Sequence, residues 1–139
     1  MRKHLCLAAC MIVTLIGCSR YRSQMPPVTP AMGKVTLANG QPLRAGYITL
    51  QPAEGNTAFR EVKCPIKSDG SFVLDDAGLG GVAPGTYVVV VDPEMIPPGS
   101  QRDPSANVPK KYRDEKTSPL RIEVKSGATN LFELKLDAS

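Results

Sequence analysis

Pro84-Gly85-Thr86-Tyr87-Val88-Val89-Val90-Val91 decides the fold class. Pro84-Gly85 marks a turn, and the run behind it is apolar at odd and even positions alike. A strand with one wet face alternates between apolar and polar residues, so a β-branched run without alternation is predicted to be a central strand covered on both sides.

Working outward, the flanking segments alternate as half-buried strands do. Downstream, Leu120, Ile122 and Val124 interleave with Arg121, Glu123 and Lys125, and Phe132, Leu134 and Leu136 with Glu133 and Lys135. Upstream, Phe59 to Lys67 carries Val62, Cys64 and Ile66 at spacing two. Ser68-Asp69-Gly70-Ser71 then supplies a hairpin turn into Phe72-Val73-Leu74. Pro65 cannot donate a ladder hydrogen bond, which places its strand at an edge or a bulge. Gly33-Lys34-Val35-Thr36-Leu37 and Tyr47-Ile48-Thr49-Leu50 are predicted as the first strands of a sheet, joined through the hairpin signal Asn39-Gly40. Asp92 to Pro119 has little pattern and is expected to be one long Pro-rich loop. Six or seven short strands and no convincing helix predict an all-β sandwich over residues 33–139.

Particular residues resemble a known module. Gly33-Lys34-Val35 with Gly40-Gln41-Pro42-Leu43, Ser68-Asp69-Gly70-Ser71-Phe72 and Pro84-Gly85-Thr86-Tyr87 are similar to the opening, hairpin and turn motifs of carboxypeptidase regulatory-like domains. In the hairpin motif, Lys67 stands where the first Asp is usual. Val108-Pro109-Lys110-Lys111-Tyr112 and Gly127-Ala128-Thr129-Asn130 resemble the tail of small bacterial lipoproteins built on that module. The resemblance implies a transthyretin-like (prealbumin-like), seven-stranded or so Greek-key β-sandwich. It implies little about chemistry, because one fold hosts many functions.

The N-terminus reads as an address rather than as fold. Met1-Arg2-Lys3-His4 is basic, and Leu5 to Ile16 is an uncharged apolar run. That run is too short for a spanning helix of about 20 residues, but it suits the hydrophobic region of a signal peptide. Leu15-Ile16-Gly17-Cys18 resembles the lipobox of bacterial lipoproteins. The resemblance implies cleavage between Gly17 and Cys18 and lipidation of Cys18. Residues 1–17 are then a lipoprotein signal peptide, and residues 18–32 are the lipidated Cys and a Pro-rich tether. One acyl chain holds marginally, at about 0.8 kcal/mol per buried methylene, whereas two or three hold firmly. The expected location is the cell envelope, anchored to a bacterial membrane on a periplasmic or surface face.

Processing also narrows the chemistry. Of the four Cys, Cys6 and Cys10 leave with the signal, Cys18 becomes a thioether, and Cys64 remains as a small buried hydrophobe. The only His, His4, also leaves, which removes His-ligated zinc, Ser-His-Asp and Cys-His sites. It equally removes the hydroxyisourate hydrolase branch of the transthyretin-like group, which the resemblance associates with essential His. No catalytic residue and no cofactor is expected. Taking Arg2 and Lys3 off a net charge of +4 leaves +2, with cations and acids interleaved, so no nucleic-acid partner is expected.

Two surface sites remain as candidates. Asp69, Asp75 and Asp76 offer three oxygen ligands where calcium takes six or seven, and their spacing fits no calcium loop. Trp is absent, and Tyr47 and Tyr112 look freer than the strand aromatics. Tyr47 with Lys110, Lys111, Tyr112 and Arg113 is therefore a candidate contact for an anionic glycan or an envelope protein, against the alternative that Tyr112 pins the long loop to the sandwich. The function expected is a non-enzymatic structural or binding module of the envelope; the alternative is an accessory glycan- or calcium-binding lipoprotein of a transport or envelope complex.

Overall fold

The computed structural model describes residues 27–54, 56, 60–95, 97–101 and 108–138. The expected signal segment, Gly17, Cys18 and the expected tether as far as Pro26 lie outside the described residues. Within them the chain forms seven strands: β1 (Ala31–Leu37), β2 (Tyr47–Pro52), β3 (Val62–Pro65), β4 (Ser71–Leu74), β5 (Gly85–Asp92), β6 (Arg121–Val124) and β7 (Asn130–Leu136). They make two sheets, one ordered β4-β1-β7 and the other β3-β2-β5-β6. All neighbours are antiparallel except β1 and β7, the first and last strands, which run parallel. Between the sheets lies one core, so the architecture is a β-sandwich as expected.

β5 has the place its composition predicts. It lies inside its sheet between β2 and β6, with Tyr87, Val89 and Val91 turned into the core and Val88 and Val90 buried on the other face. The end of the long loop runs beside it: Ser118 Oγ donates to the Val89 carbonyl at 2.5 Å, and the Val89 N–H donates to Leu120 at 2.9 Å. From the facing sheet come Val35, Phe72, Leu74, Leu134 and Leu136. Each fully buried Val, Leu or Phe contributes about 1.5–3 kcal/mol, so the inter-sheet layer dominates stability. β3 with Pro65 is an edge strand, as the missing N–H requires.

Two predicted hairpins are instead corners between the sheets. At Asn39-Gly40 the turn closes locally, with Gly40 donating to Leu37 and Leu37 to Gln41, both at 2.8 Å. Leu43 then sinks completely into the core, which carries the chain away from β1 and into the opposite sheet as β2. At Lys67 to Ser71 a similar turn joins β3 to β4 across the sandwich, with Ile66 buried at the corner.

The fold also starts earlier than Gly33. Thr29 and Val82 exchange backbone hydrogen bonds at 2.8 and 3.0 Å, Asn130 donates to Pro30, and Ala31 is buried. Pro30 lacks an N–H but keeps a carbonyl to offer, which is why it serves at the margin of a sheet. Residues 29–32 therefore belong to the sandwich rather than to the tether.

Cys64 faces the core, and burial pushes its thiol up to about 11. Thiolate is the nucleophile, so Cys64 in the folded chain is expected to resist Ellman's reagent at pH 8 and to react at once in strong denaturant. A value raised above that of the unfolded chain, about 8.5, favours the folded state below that pH and loses this contribution as pH climbs towards 11. Native reactivity equal to that of the denatured chain would contradict this placement.

Candidate functional site

The polar outer face of the four-stranded sheet gathers the most side-chain chemistry in the described residues. On β2, Ile48 and Leu50 point inward, which turns Tyr47, Thr49 and Gln51 outward. Strand register then sets their neighbours: Tyr47 lies opposite Pro65 and Asp92, and Thr49 opposite Lys63 and Val90. Thr49 Oγ1 donates to Asp92 Oδ2 at 2.8 Å, Lys63 Nζ pairs with the same oxygen at 3.2 Å, and Gln51 Nε2 donates to Glu61 Oε2 at 2.6 Å. Lys63 Nζ also lies 5.0 Å from the centre of the Tyr47 ring. That contact and the ion pair together hold the ammonium group over the strand pair.

Thr49, Gln51, Glu61 and Asp92 line a groove of about 420 Å³ together with Val90 and with Arg113 to Lys116 of the long loop. Its chemistry is that of a hydrogen-bonding surface. An amide, a hydroxyl, carboxylates, a guanidinium and an ammonium group bring donors and acceptors together. The Lys63–Asp92 pair is partly solvated, so its contribution to stability is at most about 1 kcal/mol. Thr49 is only 4% exposed, however. Asp92→Ala is expected to destabilise by about 1–2 kcal/mol, because it strands that hydroxyl, whereas Lys63→Ala should stay within about 0.5 kcal/mol. Urea unfolding curves of the two variants measure the difference.

The candidate residues fare differently. Tyr47 is 38% exposed on the outer face of β2, and Lys110 and Lys111 are exposed. Tyr112 is not: it is fully buried in the core at the end of a single 3₁₀ turn, Lys110–Tyr112. Its hydroxyl accepts the Asp137 N–H at 2.9 Å, which ties the loop to the residue just past β7. Arg113 turns back so that its Nε donates to the Val108 carbonyl at 2.8 Å. The basic-aromatic patch therefore does not exist as a surface; Tyr112 pins the loop, and Lys111 Nζ covers its ring at 5.0 Å.

The calcium alternative fails on geometry. Asp69 accepts from the Ser71 hydroxyl at 2.6 Å and from the Ser71 N–H at 3.0 Å, and these bonds hold its carboxyl below the usual range. Asp75 caps the Gly80 N–H at 2.9 Å, and Asp76 pairs with Arg60 at 2.8 Å. Each carboxylate completes a turn or an ion pair, and no group of three ligands converges among the described residues.

No family model, no curated protein and no solved structure matches the chain. Thr49, Gln51, Glu61, Lys63 and Asp92 were not among the residues that sequence reading singled out. Their outward phase on β2 and β3 is legible in the alternation, but bringing Asp92 to Thr49 takes the β2–β5 register.

Proposed function

We propose that the chain is an exported lipoprotein, anchored to the membrane through Cys18, whose sandwich serves as a non-enzymatic structural or binding module of the cell envelope. The observation that carries this reading is Leu15-Ile16-Gly17-Cys18 behind a basic start and an apolar run. One further feature supports it. The first backbone pairing of the described fold is at Thr29, which leaves Ser19 to Val28 as a spacer. The relation to transthyretin-like, carboxypeptidase regulatory-like domains is part of the proposal and rests on the sequence motifs.

Radiolabelled palmitate supplied to growing cells tests the anchor. The wild type is expected to take up label and sediment with membranes, and Cys18→Ala to lose both. Equal labelling of the two chains would end the assignment.

The groove favours a second reading, in which the module binds an envelope glycan. Thr49, Gln51, Glu61 and Asp92 offer the paired donors and acceptors that sugar hydroxyls use. A ligand that binds only the folded state raises Tm. A rise with purified envelope polysaccharide that is abolished in Gln51→Ala and Glu61→Ala would support it, and an unmoved Tm would leave the scaffold role.

A further inference from the structure

The opposite face of the sandwich carries an apolar row. On β1 Val35 points inward, so Met32 points outward, and the register sets Met32 beside Val73 of β4 on one side and Leu131 of β7 on the other. Leu131 is 73% exposed, Val73 47% and Met32 37%. Single exposed apolar residues are ordinary on a soluble surface, but three in one row across a whole sheet form a patch. Each lies in a regular strand whose inward face is already satisfied by the core, so the row does nothing for packing between the sheets.

Its position identifies what covers it. Met32 is the second residue of β1, and Thr29 is already fixed to Val82, so the row lies where the N-terminal segment joins the fold. Between Cys18 and Thr29, the residue already fixed to the sandwich, stand only Ser19 to Val28, which can span at most about 36 Å when fully extended. A domain on so short a lead stays within roughly its own diameter of the lipid. The end of the molecule that meets the lead is the end nearest the surface. Charge agrees: Arg20 and Arg22 lie in the lead, and Lys34 and Lys135 on the same sheet face, with Glu133 opposite Lys34 as the only acid of that face of β1 and β7. Basic residues beside an apolar patch suit an anionic bilayer interface.

We infer that the outer face of the three-stranded sheet, through Val73, Met32 and Leu131, rests against the bilayer that holds the anchor. The polar groove, on the opposite sheet, then faces away from the membrane. This inference depends on the reading of Cys18 as the lipid anchor.

The test uses the full-length lipidated protein reconstituted into phosphatidylethanolamine vesicles that contain phosphatidylglycerol as the minor lipid. Cys64 is buried, so Leu131→Cys, Val73→Cys and, on the opposite sheet, the exposed Glu123→Cys each accept one fluorescent thiol label. Brominated lipids are expected to quench the labels at 131 and 73 several-fold more than the label at 123. Flotation of the vesicles reads the anchor separately. A protein that floats with its labels quenched equally, or hardly at all, overturns the docking face and spares the anchor; a wild type that does not float overturns both. Efficient disulfide formation between two Leu131→Cys chains, without quenching, would assign the row to a second copy and also overturn the inference.

Discussion

Tyr112→Ala is expected to lower the unfolding free energy by about 3–5 kcal/mol, the range for deleting a buried aromatic side chain. In a domain of this size that corresponds to a fall in Tm of about 15 °C or more. Tyr112 is completely buried although it stands between Lys111 and Arg113, and its ring fills the end of the core while its hydroxyl holds the Asp137 N–H. Tyr112→Phe keeps the ring and drops only the hydrogen bond, so it should lose about 0.5–1.5 kcal/mol. Lys110→Ala and Lys111→Ala, both at exposed positions, should change little. Urea unfolding of the four variants separates the roles. If Tyr112→Ala unfolded within about 0.5 kcal/mol of the wild type, the loop would not belong to the core, and Tyr112 would return as a surface contact.

Gly33→Ala is the second large effect. Gly33 lies in the middle strand of its sheet, opposite Phe72 in the antiparallel register, and the Phe72 ring lies over it. A Cβ at this position would come within 2.5 Å of the end of that ring and would also collide with the carbonyl oxygen of Phe132. The ring can tilt, but the carbonyl belongs to the β7 ladder and cannot move without breaking it. The expected loss is about 3 kcal/mol, at the upper end for overpacking. Shortening the ring in Gly33→Ala/Phe72→Leu should recover part of the loss relative to the sum of the single changes, because one of the two collisions is relieved. Strict additivity would mean that the backbone collision alone decides.

The sequence makes some of this architecture legible and conceals the rest for identifiable reasons. Val88 to Val91 and the alternation of β6 and β7 state which faces are dry, because a strand's side chains have period two and burial selects one phase. Pro65 announces an edge by lacking a donor. Period two does not name the partner strand, however. The turns at Asn39-Gly40 and Asp69-Gly70 look like hairpins because their local hydrogen bonds are those of hairpins, and only the burial of Leu43 and Ile66 reveals that the chain is changing sheets. Tyr112 misleads in another way. In a 3₁₀ turn consecutive side chains diverge by about 120°, so a buried ring can have two solvated cations as neighbours in sequence. The groove was harder still, since Thr49 and Asp92 meet only through the pairing of β2 with β5.

The parallel pairing of β1 with β7 also governs how the molecule is made. β1 is the middle strand of its sheet, yet one of its two neighbours is β7, the last of the described strands, and Asn130 reaches back to Pro30 across 100 positions of sequence. Contacts between such distant partners form late, because closing the intervening loop comes before any gain from pairing. A nascent chain emerging N-terminus first therefore carries β1 with one bare edge until Asn130 to Leu136 are released, and an early stop before Asn130 leaves that edge open to other chains.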